Sequence, residues 1–331
     1  MNDFLFGILQ WIQGWVGSYG WAMVVFTLLV RLVLTPLDVK SRMSMRKTTK
    51  LQPQLQALQK KYANDKEKLN QKTAELYKKE HISPLSSCLP ILLTWPILIA
   101  VFGAMRMAAN YEILGQVTQL LNNQAPTLER WLWIKNLWMP DSIFSSAYPD
   151  LNTLKQIPAD MWLQWFVGLE EIPALLKDLN LTAASFDSSQ LTATVTAIYN
   201  ALAEGNATYA EAISANGGWT FNLLITQLTV VKEYNGLMIL PLLSAGSQLL
   251  MTKVTGAAQQ TGNDSAAATG KFMNWFFPIF SLVLCFSYSS AFALYWVSGN
   301  LIMLAQTLII NKVLDSREAK QAALAGEGSV K

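Results

Sequence analysis

Histidine and cysteine are scarce in this chain. One histidine, His81, and two cysteines, Cys88 and Cys285, occur in 331 residues. Two cysteines cannot build a disulfide scaffold, and a zinc site needs a cluster of Cys or His ligands, so no metal and no cofactor is expected. Both cysteines sit in apolar blocks and read as small buried residues. There is no Walker motif, no G-x-S-x-G and no general-base constellation, which argues against an ATPase or hydrolase; the chain is not expected to be an enzyme. Charge is also short, at 14% of residues where a soluble protein averages roughly 25%.

Apolar residues are abundant. They make up 52% of the chain, and the mean hydropathy is +0.25. A disordered chain is excluded, and a purely soluble enzyme does not fit. A spanning helix needs about 20 mostly apolar residues. Five blocks qualify: Tyr19–Leu37, Cys88–Ala108, Gly236–Thr252, Phe272–Ser290 and Ala291–Asn311. The last two abut and require a tight hairpin near Ser289–Phe292. The expected fold is an all-α integral membrane protein with five transmembrane helices. Residues 1–18 carry Leu5, Ile8, Ile12 and Trp15 at helical spacing with Gln10 and Gln13 between them. This predicts an amphipathic helix lying in the interface. A signal peptide is the competing possibility, and the missing basic n-region argues against it.

Charge sets the orientation. Residues 38–81 hold 12 Lys+Arg against 5 Asp+Glu, and residues 107–236 hold 5 against 12. The positive-inside rule places 38–81 in the cytoplasm and 107–236 outside, giving an N-out, C-in topology. The 253–271 loop and the 312–331 tail each carry a net charge of +1 and fall inside. Residues 38–86 read as a cytoplasmic helical hairpin broken at Asn64-Asp65, with Leu51, Leu55, Leu58 and Tyr62 as its apolar stripe. Its lysines suit anionic lipid, a docking partner, or both. In the extracytoplasmic region, 109–235, Trp131, Trp133 and Trp138 read as an interfacial segment. The Ala-, Thr- and Ser-rich part, about 143–231, reads as a small helical domain with no catalytic constellation.

Arg31 is the sharpest single feature. It lies about six residues, roughly 9 Å, inside the first block. A charge near the bilayer centre costs about 2.5–3.5 kcal/mol on the insertion scale. None of the other four blocks holds an Asp or Glu. Snorkelling to the interface is one account of Arg31. Thr27, Arg31 and Thr35 share a helix face, however, as do Ser244, Gln248 and Thr252. Tyr295, Gly299 and Gln306 fall near one face, with Trp296 and Asn300 adjacent. Polar stripes at membrane depth face a bundle interior or a wet cavity, and helix–helix adhesion alone accounts for the Ser and Thr positions. With an unneutralised arginine among them, a water-filled groove open to the cytoplasm is the preferred account.

These residues, in this order, resemble the YidC insertases of bacteria and their organellar relatives. The resemblance runs from Phe4–Gly20 through Thr27-Leu-Leu-Val-Arg31, Pro36-Leu, Leu51-Gln-Pro53-Gln and Leu76-Tyr-Lys-Lys-Glu80. It continues through Ser83-Pro-Leu-Ser-Ser-Cys-Leu-Pro90, Trp131-Leu-Trp-Ile-Lys-Asn-Leu137, Pro140-Asp141 and Leu240-Pro241 to Pro278, Leu294-Tyr-Trp296 and Gly299-Asn300. It implies a five-helix core around a hydrophilic groove, with Arg31 as the groove arginine. It also implies that Thr27, Tyr295 and Trp296 contact substrate, that Gln248 lines the groove, and that 38–81 is the hairpin the family needs for activity. The function implied is insertion and folding of membrane proteins, alone or beside the Sec translocon. The partners implied are nascent membrane proteins, the Sec translocon, ribosome or signal recognition machinery through 38–81, and anionic lipids; no nucleic acid is expected. The sequence departs from the family at Ser86-Ser87, where the family has Gly-Gly, and in the 143–231 insertion. It is expected to lack the extra N-terminal span, the large periplasmic domain and the lipoprotein cysteine of some relatives. A secondary transporter or channel, and a scaffold acting through its outer domain, are the alternatives. The chain shows neither the internal repeat nor the intramembrane carboxylates of a transporter, and a scaffold has no use for Arg31.

Overall fold

The computed structural model describes residues 2–80, 89–222, 227–256 and 264–328. His81, Ser86, Ser87 and Cys88 lie outside the described residues. The chain is predominantly helical. Its long helices are α2 (Tyr19–Lys50), α5 (Leu89–Leu121), α10 (Ile239–Gly256), α11 (Asp264–Ser287) and α12 (Ser290–Gly328). Among the described residues three stretches are long and apolar enough to cross a bilayer: Tyr19–Lys50, Pro96–Leu121 and Ser290–Lys320. Ile239–Val254 and Asn274–Ser287 are shorter apolar helices. Helices outrun the apolar blocks from which they are predicted. The first block ends at Leu37, but its helix continues to Lys50, and the second runs past Ala108 to Leu121. A helix stops where its backbone is capped or broken, and a change from apolar to polar side chains does neither.

Residues group into two compact units, and each long helix contributes to both. The first comprises Met1–Phe26, Ile99–Leu243 and Leu282–Trp296. Here α1 (Asn2–Val16) buries Leu9 and Ile12 and stacks Phe6 on Tyr111 of α5 with 6.1 Å between ring centres. The start of α2 is held by Glu129, whose Oε1 accepts from the Tyr19 amide at 2.9 Å. An anion at that helix end also complements the helix dipole.

The middle of this unit is a polar lattice under an aromatic core. Asn136 Nδ2 donates to Gln116 Oε1 (2.9 Å) and to the Ala147 carbonyl (2.8 Å). Asn235 Nδ2 donates to the carbonyls of Asn136, Met139 and Pro140. Buried Asp141 accepts from the Leu240 amide at 2.7 Å, the Met238 amide at 3.1 Å and the Trp133 indole at 3.2 Å, which caps the start of α10. A Cβ on Gly236 would collide with the Asp141 carboxyl group, so only glycine fits there. The α11–α12 turn docks on the same segment, where the Ser290 amide meets the Met139 carbonyl at 2.9 Å and the Ala291 amide meets that of Leu137 at 2.8 Å. Trp131 and Trp138 are buried, with Trp138 only 1% exposed and edge-on to Tyr19 at 5.0 Å. The interfacial role expected for these two tryptophans is therefore corrected: they are protein core.

The 143–231 segment shares that core. It contributes α6 (Leu151–Lys155), α7 (Ala159–Val167), α8 (Leu191–Gly205) and α9 (Ala207–Ile213). On α8, Val195, Ile198 and Leu202 form the buried stripe. Asn206 caps α9 through the Tyr209 amide and donates to the Leu120 carbonyl of α5 at 2.9 Å. Trp165 donates to Thr118 of α5 at 2.8 Å. The small helical domain expected here also contains an antiparallel hairpin, β1 (Ala215–Asn222) and β2 (Gln227–Val231). Its cause is local. Trp219, Thr220, Phe221, Leu228, Thr229 and Val230 alternate apolar with polar or are β-branched, and such residues fit a pleated surface better than a helix.

The second unit comprises Thr27–Leu98, Ser244–Ser281 and Val297–Lys331. It contains α3 (Gln52–Lys61) and α4 (Lys66–Lys79), two short lysine-rich helices that bury no residue of their own. Asp65 separates them and caps α4 by accepting from the Lys68 amide at 3.0 Å. In the same unit α2 and α12 run side by side. Partners on the two helices rise together in number, from Arg31 with Met303 to Lys50 with Glu318, so the helices point the same way.

Candidate functional site

In the second unit a cluster of polar groups is built on α2, α10 and α12. Its centre is Arg31, half-buried on α2. Nη1 of Arg31 lies 3.3 Å from Sδ of Met303 on α12. Among the described residues Arg31 forms no ion pair within 4 Å. Asp38, two turns along the same helix and one residue beyond the apolar block, interacts electrostatically with Arg31 and with Arg42. Gly299 makes room for the guanidinium: a Cβ there would stand 3.4 Å from Arg31 Nη2 and 3.7 Å from Cγ2 of Thr27. Thr27 itself is 1% exposed.

One turn on, the cluster turns to neutral hydrogen bonds. Thr35 Oγ1 donates to the Arg31 carbonyl at 2.9 Å, the back-bond typical of threonine in apolar helices. Gln306 Nε2 donates to Thr35 Oγ1 at 2.8 Å and to the Arg31 carbonyl at 3.3 Å. The Gln306 Oε1 is buried with no hydrogen-bond partner among the described residues. Further along, Arg42 donates to Thr307, and Arg46 to the Asn311 carbonyl at 3.1 Å. Arg46 also pairs with Asp315 at 2.7 Å and Lys50 with Glu318 at 2.9 Å. The ladder thus passes from a nearly unanswered cation, through neutral polar groups, to ordinary surface ion pairs.

Residue 300 of α12 joins the cluster to α10. Asn300 Nδ2 donates to Ser247 Oγ at 3.1 Å, and Ser247 donates to the Ser244 carbonyl. Ser244 in turn donates to the Ser281 carbonyl of α11 at 3.1 Å. Gln248, next to Ser247, is half-buried, and its carbonyl accepts from Thr252 at 2.9 Å.

Thr27, Arg31 and Gln248 therefore fall in one unit. Tyr295 and Trp296 fall in the other. There Trp296 packs on Phe292 at 5.7 Å, and its indole nitrogen is buried without a hydrogen-bond partner among the described residues. Sequence reasoning missed Met303, Thr307 and Asn311. Their spacing of four along α12, facing Arg42 and Arg46 at the same spacing on α2, was the available signal. Chemically the cluster offers a positive charge and unfilled hydrogen-bonding capacity.

A family model matches most of this chain, and curated proteins match parts of it. The family model described as 60Kd inner membrane protein matches residues 11–173 and 192–318. A protein of Fusobacterium nucleatum named membrane protein insertase YidC is 43% identical over 106 residues, covering 32% of this chain and 52% of the relative. One of the same name from Aromatoleum aromaticum is 40% identical over 141 residues, covering 42% of this chain and 23% of the relative. Another, from Clostridium tetani, is 38% identical over 128 residues, covering 39% and 51%. The chain thus spans between about a quarter and about half of the length of these curated relatives. With the model matching on both sides of one short gap, the chain belongs to the 60Kd inner membrane protein family.

Proposed function

We propose that this protein is a membrane protein insertase and chaperone. It receives substrate segments in a hydrophilic groove open to the cytoplasm and releases them into the bilayer. The observation that carries this reading is Arg31: a half-buried cation on an apolar helix whose hydrogen bond goes to a thioether and which has no carboxylate within 4 Å among the described residues. A charge so placed attracts the acidic and polar parts of an incoming segment and shortens the apolar barrier they cross. Thr27 and Gln248 line the groove with Arg31, and Tyr295 and Trp296 contact substrate. The names of the relatives agree with this activity.

Five spans, N-out and C-in, complete the proposal. Support for the orientation comes from the charge asymmetry and from the parallel course of α2 and α12, which puts their basic and acidic ends on one side. The 18 residues of α10 extend about 27 Å, close to the roughly 30 Å of a hydrocarbon core. The lysine-rich α3–α4 hairpin then serves as the cytoplasmic docking surface for the Sec translocon, the ribosome, signal recognition machinery or anionic lipid.

Reconstitution tests the proposal. Purified protein in sealed liposomes is offered a two-span substrate such as an ATP synthase c-subunit, and protease protection reports insertion. Native protein is expected to insert it, and Arg31→Glu to fall to the level of empty liposomes. Equal insertion by both would remove Arg31 from the centre of the mechanism. No insertion by the native protein, with the Sec translocon absent or supplied, would overturn the activity.

A further inference from the structure

The β1–β2 hairpin is amphipathic. Strand alternation puts Trp219 and Phe221 on one face of β1, with Leu228 opposite Phe221, and Thr220, Asn222, Gln227 and Thr229 on the other face. The hydroxyls of Thr220 and Thr229 meet at 3.2 Å across the polar face. On the apolar face Trp219 is 68% exposed and Phe221 48%. No Asp, Glu, Lys or Arg occurs between residues 215 and 231. Soluble proteins guard exposed strand edges with charge, proline or a covering element, and a lone two-stranded ribbon is marginal in water. An uncharged hairpin with two exposed aromatic rings is thus built for a surrounding other than water.

Neighbouring rings identify that surrounding. Phe221 stands edge-on to Phe144 at 5.8 Å, and Phe144 to Phe286 at 6.3 Å. Phe286 is the penultimate residue of α11, and Val283, one turn earlier, is 57% exposed. The apolar face of the hairpin therefore continues the apolar surface at the end of a membrane helix. Tryptophan at such a level, with one polar and one apolar side, is the usual anchor in the headgroup region.

We infer that the hairpin lays its Trp219–Phe221 face into the headgroup and upper acyl region of the leaflet at this end of α11, so that its partner is lipid. Threonine, asparagine and glutamine on the opposite face stay hydrated without adding a charge. The hairpin braces the 143–231 segment against the membrane, independently of substrate.

Site-specific photo-crosslinking tests this on the full chain. A benzophenone amino acid replaces Trp219, Phe221, Thr220 or Thr229 in turn, in vesicles of phosphatidylethanolamine and phosphatidylglycerol and in native membranes. All four sites are on the hairpin surface, and an unchanged melting profile verifies the fold of each variant. Lipid adducts are expected at 219 and 221, several-fold above 220 and 229. Polypeptide adducts in place of lipid would reassign the face to a protein partner. Equal lipid yields at all four positions, or none, would also overturn the inference.

Discussion

The guanidinium of Arg31 meets a sulfur: its Nη1 lies 3.3 Å from Sδ of Met303. A thioether is a weak acceptor, so this contact orients the charge and leaves it largely unneutralised. Met303→Glu places a carboxylate within reach and should lock the cation in an ion pair. Insertion in the liposome assay is expected to fall strongly while the melting temperature holds or rises. Met303→Leu, similar in volume, should keep both near native. Full insertion by Met303→Glu would show that the open charge is not needed.

Space at Gly299 gives a second, graded prediction. A Cβ at 3.4 Å from Arg31 Nη2 needs only a small shift of a flexible side chain, so Gly299→Ala should be nearly silent. Gly299→Leu puts further carbons where the guanidinium and Thr27 now sit. It should displace Arg31 and reduce insertion well below the alanine variant, with the helix content read by circular dichroism unchanged.

Gln306 ties α12 to Thr35 and to the Arg31 carbonyl through one amide nitrogen. Gln306→Leu removes those bonds and also the unpartnered Oε1. The losses offset in part, so the cost should stay within about 1 kcal/mol, less than an unpaired buried group would impose. Thr35→Val leaves the glutamine amide with only its longer bond and should cost more, about 1–3 kcal/mol. Thermal unfolding of both variants in the same detergent orders the two.

Tyr209 gives the 143–231 segment a pH dependence. Its hydroxyl is buried and donates to the Pro149 carbonyl at 2.6 Å. Burial raises its pKa far above that of an ordinary tyrosine, with smaller contributions from Tyr199 and Asp150. A raised folded-state pKa means that the stabilisation is complete below the unfolded value of about 10 and is lost as pH rises beyond it. The first unit should therefore begin to unfold above about pH 10, with tyrosinate absorbance rising together with the loss of helix. Tyr209→Phe should shift that transition to higher pH and cost about 1–3 kcal/mol at neutral pH, because the Pro149 carbonyl loses its donor.

The sequence carried the apolar blocks, the isolated charge at Arg31, the break at Asp65 and the tight turn before Ser290, because each is written in consecutive residues. Helix length was less legible. Past Leu37 the residues turn polar, yet no cap or breaker intervenes before Lys50. Trp131 and Trp138 read as interface residues because composition alone cannot tell a ring facing lipid from one packed on Trp21 or Tyr19. The hairpin was overlooked because its short strand-favouring runs, residues 219–221 and 228–230, sit in a segment whose Ala-rich helical spacing dominates the pattern. Met303 was missed for another reason: its spacing with Thr307 and Asn311 marks a helix face, but the pairing of a cation with a thioether 272 residues away follows from tertiary packing.

That separation has a consequence in time. The first long helix leaves the ribosome almost a whole chain before the helix that completes its ladder. At about 5–20 residues per second of synthesis, Arg31 waits roughly 15–50 s for Met303. Throughout that interval the first span must hold its cation in the membrane by other means, whether bent toward the headgroups or sheltered by a helper. On the proposed topology the ladder is completed only once α12 has been made, and truncation before residue 303 should leave a nascent protein whose Arg31-bearing span is its least settled.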